Sequence, residues 1–252
     1  MMFLFINLMI AHVVGDFFCQ TEKSCHRKLD KGLRCADMYI HAFIIFVLSW
    51  AVVWQYSFGW VAFVIAFLHL LIDTLKVALE KKIMVKDGNE EKICLGKSRF
   101  GIWPFLADQL LHVIVICVIS YWWFDSTTWN QFPFIEMMGI KAVCFVLALM
   151  LCCKPANILI RYILGYCKVK GLQTYEDHSS FKSGALIGTL ERWLIIFFMC
   201  LQQYEAIGFL IAAKSILRFS ETRESEKSEY VLAGTLLSLT IAVGCGWVIM
   251  QI

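Results

Sequence analysis

Apolar residues gather into eight long runs along this chain, at 1–20, 37–56, 59–80, 103–124, 134–153, 183–203, 206–219 and 230–251, with short polar connections between them. A helix needs about 20 predominantly apolar residues to cross a hydrocarbon core. The runs therefore predict an all-α, polytopic transmembrane helical bundle of about eight spans. The seventh run is short. It is expected to be tilted, to meet a thinned bilayer, or to form half of a re-entrant pair with the sixth. Residues 155–167, PANILIRYILGYC, predict a short interfacial helix with Pro155 near its start.

The polar positions inside the first four runs repeat one spacing. His12 and Asp16, Asp37 and His41, His69 and Asp73, and Asp108 and His112 each stand four apart. Residues four apart share one helix face. With eight Asp in 252 residues, chance places one at a given offset from a His only about 3% of the time, yet four of the six His show it. The order within the pair alternates from run to run. In helices that cross alternately down and up, every Asp then falls toward one side and every His lies one turn deeper.

The loop charges say which side that is. Of the 23 Lys and Arg, all but Lys141, Arg192 and Lys214 lie in the stretches 23–34, 76–99, 154–182 and 218–227, and the alternate connections near 56–58, 125–133 and 204–205 carry none. The positive-inside rule places the basic stretches in the cytoplasm and both termini outside. Trp122, Trp123, Phe124 and Trp129 then sit at the outer headgroup layer. The natural division is at the outer loop 125–133. It separates a His/Asp-bearing half, 1–125, from a second half, 126–252, that carries the interfacial helix and about four spans.

Composition agrees with this class. Hydrophobic residues make up 60% of the chain and charged residues 17%, against about 25% charged in soluble domains, and mean hydropathy is +0.68. A net charge of +3 does not point to nucleic acid; the expected partners are membrane lipids. The 11 Cys are odd in number, mostly within apolar runs, and without CxxC spacing. They read as small buried hydrophobes and reduced thiols. The first residues, MMFLFINLMI, lack a basic n-region and a small-residue cleavage site, so the first run is expected to be retained.

Ionisable groups inside a membrane cost roughly 2.5 kcal/mol or more each and persist when they pair, face a watery cavity or bind an ion. Paired His and Asp can simply hold a bundle together. Converging imidazoles and carboxylates on several helices can also hold one or two divalent metal ions, with Zn, Mn, Fe and Ni all compatible with such donors. The expected metal set is His12, Asp16, His41, His69, Asp73, Asp108 and His112. His12, His69 and His112 lead as ligands. Asp16, Asp73 and Asp108 are the candidate catalytic carboxylates, as ligands, general base or orienting partners. Asp37, beside a basic loop, is marginal.

The pattern His12-x3-Asp16-Phe17-x2-Gln20, His41, His69-x3-Asp73 and Asp108-Gln109-x2-His112 resembles a bacterial integral-membrane family catalogued as a domain of unknown function, over roughly residues 3–125. Asp37 is not part of that pattern. The stretches GALIGTLERWLIIFF, AIGFLIAAKSILRFSE and EYVLAGTLLS are similar to the C-terminal part of its longer members. The resemblance implies a bacterial inner (plasma) membrane location and carries no activity. A looser similarity, in chemistry only, is to bacterial membrane-bound metal-dependent hydrolases.

A second polar cluster lies in the later runs: Glu191, Arg192, Lys214 and Arg218. Glu191 and Lys214 fall at similar depth and are expected to pair. Arg192, Lys214 and Arg218 are alternatively an anion or headgroup site. Three functions follow. The first is a metal-dependent intramembrane hydrolase acting from the cytoplasmic leaflet on a lipid or lipid-linked substrate, phosphorylated ones included. The second is a transporter or channel for a metal ion, proton or small anion. The third is a non-enzymatic scaffold recruiting a cytoplasmic protein.

Overall fold

The chain opens with an apolar helix, α1 (Met2–Val13), that runs on into a single π turn, Val14–Phe18. This computed structural model describes residues 1–87, 102–123, 133–167, 178–219 and 225–252, with side chains except at 82–87, 133–138, 178–183, 217–219 and 225–231. The helices that follow are α2 (Glu22–Lys31), α3 (Ala36–Val53), α4 (Gly59–Asp87), α5 (Trp103–Trp122), α6 (Pro133–Leu151), α7 (Lys154–Tyr166), α8 (His178–Cys200), α9 (Tyr204–Phe219) and α10 (Ser225–Gln251). No strand occurs among the described residues.

Four of these helices are long and apolar enough to cross a membrane: Ala36–Val53, Tyr56–Lys81, Trp103–Trp122 and Leu232–Gln251. Two bent pairs raise the number to six among the described residues, Met2–Phe18 with Glu22–Arg34 at 83° and Gly139–Leu151 with Lys154–Tyr166 at 43°. The second bend leads into a short helix where one is expected, Lys154–Tyr166, with Pro in its first turn, where the missing N–H is not needed. The first bend makes a helix of a stretch that reads as a basic connection. Its signal is Thr21, whose hydroxyl accepts the Ser24 backbone N–H as an N-cap.

The chain forms two compact units, Met1–Val143 and Cys144–Ile252. The division falls inside α6; of the loop expected to separate the halves, 125–132 lies outside the described residues. In the first unit, α1, α3, α4 and α5 close around Leu4, Leu8, Ile45, Val53, Phe58, Val61, Ala62, Ile65, Ile116 and Ile119. The outward faces are equally apolar, with Phe43, Phe63, Leu110 and Val118 exposed. A helix apolar on all sides is what a membrane allows. Trp54, Tyr56, Trp60 and Trp122 are exposed near the ends of these helices, where amphipathic rings suit a headgroup layer. In the second unit α8 and α10 pack through Ile195, Met199 and Ala242.

Gly15 lets the π turn lie against α3, because a Cβ there would come within 2.3 Å of Ile45 Cδ1. Overpacking of this kind costs about 1–3 kcal/mol. Gly15→Ala is expected to lower thermal stability in detergent by that amount. Adding Ile45→Val, which removes Cδ1, is expected to recover most of it; additive losses in the double variant would exclude the contact as the cause.

Candidate metal centre

Four helices deliver three of the predicted pairs, and His41 of the fourth, to one place. The π turn carries Asp16 and α1 carries His12; α3 carries His41, α4 carries His69 and Asp73, and α5 carries Asp108 and His112. A π turn widens the helix by one residue and often marks a functional position. Here it places Asp16 centrally. Asp16 Oδ1 lies 3.2 Å from His69 Nε2, 3.3 Å from His41 Nε2 and 3.8 Å from His12 Nδ1. His41 Nε2 and His69 Nε2 are 2.9 Å apart. His69 and His112 rings are 4.1 Å apart, and those of His12 and His112 stack at 5.0 Å. The four imidazoles and Asp108 are buried.

The surrounding hydrogen bonds decide which nitrogens are bare. His112 Nδ1 is 2.9 Å from the Asp108 backbone carbonyl, which can only accept, so Nδ1 carries the proton and Nε2 presents its lone pair. Gln109 Nε2 donates to Asp108 Oδ2 at 3.2 Å and, at a long 3.4 Å, to Asp16 Oδ2. Its Oε1 therefore faces His12 Nε2, also at 3.4 Å. His12 then carries its proton on Nε2 and turns the Nδ1 lone pair toward Asp16. Asp16 Oδ1, Asp108 Oδ1 and His112 Nε2 are buried with no hydrogen-bond partner. An unmet buried acceptor costs about 1–3 kcal/mol. His41 Nε2 and His69 Nε2, 2.9 Å apart, share either a proton or a cation between them, and the lone pairs left over are open to the same two partners.

The spacing fits a cation. Two ligand atoms with bonds of about 2.0–2.1 Å stand about 2.9 Å apart in octahedral and about 3.3 Å apart in tetrahedral coordination. The His41–His69–Asp16 edges run from 2.9 to 3.3 Å. Three sets can each offer one ligand atom per residue within 4.8 Å of one another: His12, Asp16 and His112; Asp16, His41 and His69; and His69, Asp73 and His112. The edge lengths suit Zn, Mn, Fe and Ni alike.

Besides Gln109, two lysines outside the sequence-based set complete the centre. Lys28, buried on α2, donates to Asp73 Oδ2 at 2.9 Å, and Lys76 donates to Asp108 Oδ2 at 2.8 Å. Read as loop charges, both lysines act instead as internal counter-ions. The legible signal for Lys76 is its place one turn beyond Asp73 in the same helix. Lys28 has no such signal, because its helix folds back through the 83° bend. Asp37 stands apart, clasped by Arg27 Nε and Nη2 at 2.6 and 2.8 Å. His41 therefore joins the centre without the Asp four residues before it.

A small cavity lies on the apolar side of the imidazoles, lined by His12, His69, His112, Ser49 and the aliphatic side chains of Leu8, Ile45, Ile65, Val115 and Ile116. Its volume of about 10 Å³ is near that of a single water.

The second predicted cluster is divided. Glu191 accepts a close salt bridge from Lys214. Arg192 instead turns inward and is fully buried. Its Nε donates to the Cys152 carbonyl at 2.7 Å, Nη1 to Ser238 Oγ at 2.9 Å, and Nη2 to Asn157 Oδ1 at 2.6 Å and Thr189 Oγ1 at 3.1 Å. The Arg218 side chain lies outside the described residues.

Fold and centre define an all-helical protein with several long apolar helices compatible with a membrane, and with a buried His/Asp cluster in its N-terminal unit. The chain belongs to the family described as protein of unknown function (DUF3307), whose model matches residues 4–140. That match takes in every member of the cluster. No curated protein matches the chain. No solved structure matches it either.

Proposed function

We propose that this protein is a metal-dependent intramembrane hydrolase of the bacterial inner membrane. In this reading it has about eight spans, cytoplasmic basic loops and both termini outside. Its substrate is a lipid or lipid-linked molecule, phosphorylated ones included, reached from the cytoplasmic leaflet. One observation carries the reading: Nε2 of buried His41, Nε2 of buried His69 and Asp16 Oδ1 stand 2.9–3.3 Å from one another, the edge lengths of a divalent-cation site. A divalent cation, if held there, would supply a Lewis acid and a water of pKa near 7. His41, His69 and Asp16 would hold it. Gln109 orients His12 and Asp16 through its two ends, as partners behind metal ligands commonly do. Asp108 Oδ1, with no partner of its own, is the carboxylate able to take a proton.

Hydrolysis is favoured over transport by what lies beyond the imidazoles. From Leu8, Ile45, Ile65 and Ile116 to Leu4, Val53, Phe58 and Ile119 the first unit is closely packed with apolar side chains, whereas the lysines approach from the other side. The transport reading has its own support in Asn7, Ser49 and Ser120, which are buried within that apolar stretch, with Asn7 Nδ2 and Ser120 Oγ unpartnered.

The test is lipid profiling of cells overproducing the wild type beside His69→Ala, with metal analysis of both purified proteins. Hydrolysis predicts stoichiometric metal in the wild type, its loss in the variant, and altered lipid species with the wild type only. Bound metal with an unchanged lipid profile, together with ion uptake into proteoliposomes, would establish transport instead.

A further inference from the structure

Buried residues continue away from the centre in steps of four along the same four helices. One step, about 6 Å, leads from His12, His41, His69 and His112 to Leu8, Ile45, Ile65 and Ile116, all buried. The next leads to Leu4, Ser49, Val61 and Ser120, so two serines share one layer of an otherwise apolar core. Asn7, also buried, stands beside that layer on α1. Beyond it the core closes on Val53 and on Phe58, whose ring meets that of Trp123.

Polar side chains in such a layer cost free energy unless something bonds to them. Ser120 Oγ has no partner, although a helical serine can bond to the carbonyl four residues before it, as Thr74, Thr189, Ser215 and Thr240 do in this chain. Asn7 Nδ2 is a second buried donor without a partner. Toward the centre, His112 Nδ1 is turned to the Asp108 carbonyl, and the lone pair on Nε2 is unmet. Between these groups lies the cavity of about 10 Å³ that touches both Ser49 and His112. That is room for one water, and a serine hydroxyl and an imidazole lone pair are the two polar partners a buried water needs. A water can accept from one side and donate to the other, which no metal ion can do.

Resting on the hydrolytic reading above, we infer that this cavity is a water site, and that Ser49 is the positioning residue of the water consumed in hydrolysis. Ser49 Oγ and His112 Nε2 hold the water against the imidazoles, on the side away from Lys28 and Lys76. Each hydrolysis uses one water, its hydroxyl going to the attacked atom and its proton to the leaving group. Water and lipid substrate then reach the centre from opposite sides, and the apolar layers keep bulk water from following. Closure at Phe58 makes the site a pocket for water and not a passage across the first unit.

Hydroxyl-radical footprinting of the full chain in detergent, equilibrated in ¹⁸O-water, reads this site directly, because radicals formed from a held water oxidise the side chains that touch it. Ile65 and Ile116, which line the cavity, are expected to take up ¹⁸O, whereas Ile196, fully buried in the other unit, is not. Ser49→Val, which replaces the hydroxyl by a methyl, is expected to abolish the labelling of Ile65 and Ile116, and Ser49→Thr to restore it. If Ser49→Val does not fold, Ser49→Ala is expected to show the same loss. Wild-type Ile65 and Ile116 as silent as Ile196, or labelling that survives in both apolar variants, would overturn the inference. So would ion uptake into proteoliposomes that Ser49→Val blocks, since the serines would then line a conduction path. Labelling in a wild type that alters no lipid species would leave the water site standing and defeat the hydrolytic reading, and with it the use of this water as nucleophile.

Discussion

Replacing Asp16 by Asn is expected to lower divalent-metal affinity by at least about 100-fold, because loss of groups merely behind the ligands already costs 10–100-fold. Asp16 Oδ1 is the atom on which three imidazoles converge, and its charge is the one no lysine cancels. The amide keeps the size and one oxygen but removes that charge. It also adds an N–H where the neighbouring nitrogens present lone pairs, so a hydrogen bond can replace the cation and the fold is expected to survive. Asp37→Asn is the control. Its carboxylate pairs with Arg27 away from the centre, so metal content is expected to stay at the wild-type value. Competitive titration with a chromophoric chelator measures both. Equal affinities for the two variants would place the cation, or the protons that stand in for it, somewhere other than Asp16.

The second large effect belongs to the other unit. Arg192→Met is expected to cost about 2–4 kcal/mol, read as a lower denaturation midpoint in detergent. The guanidinium donates to groups on four elements: the carbonyl of Cys152 in the break between α6 and α7, Asn157 in the first turn of α7, Thr189 on its own helix, and Ser238 on α10. Thr189 already donates to the Ala185 carbonyl, and a free serine hydroxyl can do the same within its helix. The Cys152 carbonyl and the Asn157 amide oxygen have no such recourse, and each unmet acceptor costs about 1–3 kcal/mol. Removing a buried charge returns part of that sum, which is why the expectation is not larger. Arg192→Lys is expected to recover less than half, since one ammonium cannot span acceptors arranged around a planar fork. Wild-type stability in Arg192→Met would mean that the acceptors find other partners.

Much of the first unit is legible in the amino-acid sequence. Apolar runs of spanning length predict helices because backbone polar groups in hydrocarbon must be satisfied within the segment. The four-residue spacing then puts each His/Asp pair on one face. His12, His69 and His112 do converge, and Asp37 does stand outside, as its place beside a basic loop suggests. The second cluster is legible in part. Glu191 pairs with Lys214 as their matching depth requires, whereas Arg192, grouped with Lys214 as an anion site on charge alone, is directed to neutral acceptors instead.

Three things lie beyond the sequence, each for a physical reason. The spacing treats Asp16, Asp73 and Asp108 as equivalent, because a periodicity assumes one kind of helix. The π turn at Val14–Phe18 breaks that equivalence and brings Asp16 alone to the middle. Lys28 and Lys76 look like solvated loop charges, because a charge count along the chain cannot see a helix fold back. The 83° bend after Phe18 carries one of them into the interior. The protonated nitrogens of His12 and His112 follow from a carbonyl one turn away and from an amide 97 residues distant in the chain. The sequence by itself determined which His and Asp share a helix face, since periodicity and hydrophobic length are local properties that each helix carries alone. Only the tertiary structure decided which of them are left without a partner, since that depends on every neighbour arriving at once.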